Sequence, residues 1–273
     1  MVMAKIRWLN AVDGNFDTAA DWSTGTVPGV GDRAVLGVFG GYTVTVSAWE
    51  TVLKLHIAPD VTLLTTGVIR LTADTLFNAG TIDWSARRGS IRGSFDNTGV
   101  LMVNGDLTIT KAVTGDGSVI IGGGSYLTLN SGFTENVTFT MPTVNTQLSL
   151  AQSQGYTGEV SGLSSFRSRL YLEDIGFVSS SEATYSGDTQ SGILTVTDGT
   201  HTAHIKLIGD YTGEPFIVRP RGSGVVVQWF DVYPHRFIAA MAGLGGSAGG
   251  TIHADHATPI HEPMLSMPRV MIA

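Results

Sequence analysis

Cysteine is absent from the 273 residues, which excludes disulfide staples and thiolate metal centres. Charge is scarce as well. Asp, Glu, Lys and Arg make up 14% of the chain, and the acids prevail to give a net charge of -7. That balance excludes a general phosphate-binding surface, so nucleic acid is not expected as a partner. No apolar run reaches the length of a membrane span, about 18 residues, so no transmembrane segment is expected. The opening Met1 to Trp8 has basic residues but no apolar run long enough for a cleaved signal peptide, so any export address must lie elsewhere. Also missing are a Gly-x-Ser-x-Gly elbow, a His-Glu-x-x-His helix and a phosphate loop.

What the chain does have is glycine, threonine and valine in place of long helix formers, which points to an all-β protein. Between Phe77 and Leu129 one pattern recurs: Asn78-Ala-Gly80-Thr-Ile82, Asn97-Thr-Gly99-Val-Leu101 and Gly115-Asp-Gly117-Ser-Val119. Gly80, Gly99 and Gly117 are spaced by 19 and then 18 residues. Each unit is too short for a strand-helix-strand crossover of about 30 residues, so it fits one coil of a β-solenoid. Glycine at the corner supplies positive φ or close backbone approach, and asparagines at equivalent corners can stack as an amide ladder. The competing reading is an irregular β-sandwich whose Asn-x-Gly corners are hairpin turns. The two differ in one observable: strands after Gly80 and Gly99 pair parallel in a solenoid and antiparallel in a sandwich.

Residues 1–36 read as an N-terminal cap, in which Trp8, Phe16 and Trp22 alternate with turn residues and cover the first coil. Trp8 and Trp22 as a sugar-stacking platform is the other reading of the same aromatics. Residues 37–162 read as the solenoid. Tyr42 to Val46 and Val52 to Ile57 alternate with period two, which places His56 on the outward parity. Residues 163–233 read as a C-terminal β module, with Asp198-Gly199 as a hairpin turn between alternating runs. Residues 234–273 read as a flexible tail broken by Pro259, Pro263 and Pro268; its His253, Asp255, His256, His261 and Glu262 lack a supporting shell, so no metal is expected.

Trp8, Gly14-Asn15-Phe16, Asp21-Trp22, Gly25, Pro28 and Gly31-Asp32-x-Ala34 resemble the start of the β-helical passenger regions of bacterial autotransporter-like adhesins and secreted surface proteins. The Phe16 position is often Trp in that family. Leu194-Thr-Val196, Asp198-Gly199, Gly209-Asp210-Tyr211 and Gly222 to Val227 resemble the C-terminal module of the same group. The resemblance implies a right-handed parallel β-helix displayed outside the cell, exported by a one-step route that reads an uncleaved C-terminal signal within the last 40 or so residues. The calcium-binding Gly-Gly-x-Gly-x-Asp repeat of such proteins is broken at Gly122-Gly-Gly-Ser-Tyr126, so neither calcium nor another cofactor is expected.

Asp83-Trp84-Ser-Ala-Arg87-Arg88-Gly89-Ser-Ile-Arg92 is the local concentration of positive charge beside an aromatic. An exposed Trp84 with Arg87, Arg88 and Arg92 on its face would stack a sugar ring and hydrogen-bond its hydroxyl or carboxylate groups. If Trp84 instead continues its strand inward, the arginines merely solvate a corner. Carboxylates for polysaccharide cleavage are present as Asp74, Asp83, Asp96, Asp106 and Asp116, mostly at turns where Asp is favoured by local hydrogen bonding. The expected role is therefore a non-enzymatic structural or adhesive solenoid with a glycan or extracellular-matrix partner; the alternative is a polysaccharide-processing β-helix.

Overall fold

The computed structural model describes residues 4–140, 144–163, 167–213 and 215–229, within one compact unit spanning Met1–Val232. The expected tail 234–273, with its export signal and histidines, lies outside the described residues. The protein is a β-solenoid of about seven turns. Each turn contributes a strand to each of two sheets. One sheet runs from Lys5–Arg7 through Arg33–Leu36, Glu50–Ile57, Val68–Asn78, Arg88–Asn97, Asp106–Ile109, Tyr126–Leu129 and Thr146–Leu150 to Ser168–Leu172. The other runs from Gly14–Asn15 through Tyr42–Val46, Val61–Thr65, Thr81–Trp84, Val100–Val103, Ser118–Ile121 and Asn136–Phe139 to Glu159–Ser161.

Pairing is parallel throughout these stacks. Thr81 lies against Val100 and Val100 against Ser118, which excludes the sandwich. Inward residues form continuous apolar columns up the coil, such as Leu63, Ile82, Leu101, Val119, Val137 and Val160. The period-two alternation follows from this, since each strand has a dry face and a wet one. Val68–Asn78 and Arg88–Asn97 are long because both turn a corner; a register shift between Thr72 and Thr75 marks the bend.

Gly80, Gly99 and Gly117 stack at successive corners, as the repeat requires. Their reason is close approach. None has a positive φ, and a Cβ on Gly99 would collide with the Gly80 carbonyl oxygen. That oxygen accepts the Val100 N–H at 2.9 Å, and the Gly99 oxygen accepts the Ser118 N–H at 3.0 Å. The amide ladder is also present, with a twist at its end. Asn78 Nδ2 donates to Asn97 Oδ1 at 2.7 Å, and Asn97 Nδ2 donates to the buried Glu135 Oε2 at 2.8 Å. Asn97 reaches Glu135 through the space Gly117 leaves empty: a Cβ there would sit 2.6 Å from Asn97 Nδ2.

The N-terminal aromatics are a cap. Trp8, Phe16 and Trp22 are buried, with Trp22 edge-on to both Trp8 and Phe16 at ring separations of 5.1 and 5.0 Å. Trp22 Nε1 donates to the Phe16 carbonyl at 2.7 Å, so its polar edge is satisfied indoors and its faces are closed to a sugar. At the other end the sheets are extended by antiparallel hairpins. Ser191–Thr197 and Thr202–Ile208 pair around Asp198-Gly199, where Gly199 has φ 88°. Phe216–Arg221 and Gly224–Trp229 pair likewise, and Gly224–Trp229 pairs antiparallel with Ser168–Leu172.

Candidate arginine and aromatic face

Trp84 is fully buried, and its Nε1 donates to the Asp106 carbonyl at 3.2 Å. Its parity explains this, because Ile82 and Trp84 are two apart on one strand and both point into the coil. The ring therefore offers no stacking platform, which corrects the reading of Trp84 as a sugar-binding residue. Arg87, Arg88 and Arg92 are exposed; Arg88 and Arg92 flank Ser90 on the outer side of one strand, and Arg92 Nε donates to Ser90 Oγ at 3.4 Å.

The candidate face is the outer side of the first sheet from Val68–Asn78 to Ser168–Leu172. Two columns of side chains run along it in register, all partly or fully exposed except Gln147 and Ser149, which are buried and bonded to each other. One passes through Arg88, Asp106, Tyr126, Gln147 and Arg169. The other passes through Arg70, Ser90, Thr108, Thr128, Ser149 and Tyr171. At the strand spacing of about 4.8 Å the five steps from Arg70 to Tyr171 span about 24 Å.

An arginine stacks on an aromatic ring at each end. The Arg70 guanidinium lies 4.3 Å from the centre of the Trp49 ring, and that of Arg221 lies 4.8 Å from Tyr171. Trp49 is 61% exposed, so one ring face remains open beyond the arginine contact. Arg221 also donates through Nη1 to Gln147 Oε1, while its carbonyl accepts the Tyr171 hydroxyl at 3.0 Å. Two shallow clefts adjoin there. One, of about 280 Å³, is lined by Arg88, Asp106, Tyr126, Gln147 and Arg221; the other, of about 370 Å³, by Tyr126, Arg169, Arg219, Arg221 and Gln228. Among the described residues no carboxylate forms an ion pair with Arg70, Arg88, Arg169, Arg219 or Arg221.

Trp49 and Arg70 supply the pairing that the sequence suggested for Trp84 and Arg87. A signal existed: Trp49 follows the alternating Tyr42–Val46 strand at a corner, outside any core column. Tyr171 and Arg221 carried none, because a 50-residue antiparallel return brings them together.

Acidic groups are sparse on the two columns, where Asp106 is the one carboxylate. Asp83 lies on the other sheet and binds Asn104 Nδ2 and Ser85 Oγ, and Asp96 aligns with Phe77 and Thr114 beyond the corner. Among the described residues no group of three or more His, Asp or Glu is arranged to hold a metal ion. No protein-family model, no curated protein and no solved structure matches this chain.

Proposed function

We propose that the protein is a non-enzymatic binding module, displayed outside the cell, whose arginine and aromatic face holds an acidic glycan. The observation that carries this reading is the face itself: Arg70 and Arg88 at one end, Arg169 and Arg221 at the other, no ion pair on any of them among the described residues, and Trp49 open to a ring. Guanidinium forks match carboxylates bidentately, and the partly exposed Ser90, Thr108 and Thr128 between them suit sugar hydroxyls. A lone Asp106 favours binding over cleavage, since glycoside hydrolysis uses two carboxyl groups across the scissile bond. Surface display rests on the resemblance of the Trp8 to Ala34 and Leu194 to Val227 motifs to secreted β-helical proteins.

Titration with an oligouronate tests the reading. Wild type binds it in preference to the neutral oligosaccharide of equal length, and leaves its chain length unchanged. Trp49→Ala and Arg88→Ala each weaken binding about tenfold, the loss of one stacking or charge-assisted contact. Equal affinity for the neutral chain, or shortening of the oligouronate, refutes it.

A further inference from the structure

Beyond the corner of the first sheet, away from the arginine face, a second set of cations stands in register. Lys5 lies directly against Arg33, and Arg33 directly against Lys54. In the adjacent outward column Arg7, Val35, His56 and Phe77 succeed one another. Like charges directly opposite on neighbouring strands destabilise a sheet. This protein, with a net charge of -7, nevertheless places three in a row, and among the described residues none of them has an ion-pair partner.

Neither Asp32 nor Asp96 forms an ion pair with these cations. Asp32 directs Oδ2 to the Gly29 N–H at 2.9 Å, and Asp96 is two strands from His56 along its column. Protection of the sheet edge accounts for Lys5 and Arg7, which lie on the edge strand, because charge there deters pairing with another chain. It does not account for Arg33 and Lys54 on the second and third strands. Arg33 Nε is buried and, among the described residues, makes no hydrogen bond.

A cleft of about 310 Å³ opens between these groups, lined by Arg33, Lys54, His56, Thr75 and Phe77. The His56 and Phe77 rings lie parallel, 4.9 Å apart, and wall one side. The chemistry differs from that of the arginine face. Two of the chain's four lysines are here, whereas the two columns of that face carry arginine alone. Ammonium groups are point charges that suit tetrahedral oxyanions and do not require the planar geometry of a carboxylate.

We propose that Lys5, Arg33 and Lys54, with His56 and Phe77 as a wall, form a second anion site that takes closely spaced tetrahedral oxyanions, phosphate or sulfate groups borne on one molecule. This site stands independently of the acidic-glycan reading, since it shares no residue with the arginine face.

His56 is a local reporter. Burial, and then the charges of Arg33 and Lys5, hold its imidazole below the usual histidine range. An anion seated among those cations cancels part of their field, so the His56 titration moves upward when the site fills. The experiment follows the His56 ring resonance against pH with no anion, with tripolyphosphate, with a sulfated oligosaccharide and with an oligouronate. An upward move with either of the first two anions supports the site and tells which source of oxyanion it prefers. Lys5→Gln/Lys54→Gln, two exposed positions, removes the move and weakens the anion tenfold or more, while Trp49→Ala leaves both as in wild type. The proposal falls if neither tripolyphosphate nor the sulfated chain moves His56, if the double variant retains the effect, or if the oligouronate acts there equally.

Discussion

At the residue scale the two tryptophans 84 and 49 show how one side-chain type serves opposite ends. Trp84 fills a coil and hands its N–H to Asp106, so Trp84→Ala removes core contacts on both neighbouring turns. The expected cost is about 3–5 kcal/mol, read as a large drop in melting temperature. Trp49 is mostly exposed, so Trp49→Ala leaves the melting temperature almost unchanged while weakening oligouronate binding. Equal melting of the two variants would contradict the assignment. The inward parity of Trp84 was legible in Thr81-Ile82-Asp83-Trp84, where apolar residues fall two apart. The pairing of Trp49 with Arg70 was not, because Arg70 is 21 residues away and becomes a neighbour only through the stacking of coils; the sequence signalled only that Trp49 stands at a corner outside the core columns.

At the scale of the element, the corner that defines the repeat also carries a titratable core. The glycine spacing revealed the coil, and the first two asparagines revealed the ladder. The end of the ladder at Glu135 was hidden, since it depends on Gly117 having no side chain in the path. Burial is the main cause that raises the Glu135 carboxyl to about 7, opposed by the Asn97 hydrogen bond and aided by Asp96 and Asp116. Glu50 is raised to about 8, first by burial and then by its hydrogen bond and repulsion with Asp17. Both acids thus bind protons in the folded chain that the unfolded chain has released above its ordinary carboxylate pKa, about 4.3. Their contribution is complete below that pH and is lost as pH rises through about 7 for Glu135 and about 8 for Glu50. His56, held low, acts in the opposite sense up to its ordinary range, so the comparison must be between variants. Glu135→Gln keeps an acceptor for Asn97 without the charge. Melting temperatures from pH 5 to 8 should fall less steeply in Glu135→Gln than in wild type; parallel curves would place the proton elsewhere.

For the molecule as a whole, stability is a sum over stacked turns, and this makes the ends decisive. Overall architecture was the most legible property, because a period of 18 or 19 residues leaves few folds to choose from. The face chemistry was the least legible, because it is assembled from one outward residue per turn. The N-terminal cap is where the two scales meet. Among the described residues Lys5–Arg7 pairs only with Arg33–Leu36, and Gly14–Asn15 only with Tyr42–Val46, so the first coil has strand partners on one side alone. Within that coil Trp22 is buried edge-on against both Trp8 and Phe16, so it holds the first coil's aromatics together. Trp22→Ala should therefore free the amide hydrogens of the first two turns to exchange faster, while those of Tyr126–Leu129 and Ser168–Leu172, several coils away, keep wild-type protection. Because the Lys5, Arg33 and Lys54 row is built on those same turns, the variant should also lose the response of His56 to tripolyphosphate. Oligouronate binding at Tyr126 and Tyr171 should weaken far less. A uniform rise in exchange along the chain would mean that the solenoid unfolds as one cooperative body, and that the cap guards every turn equally.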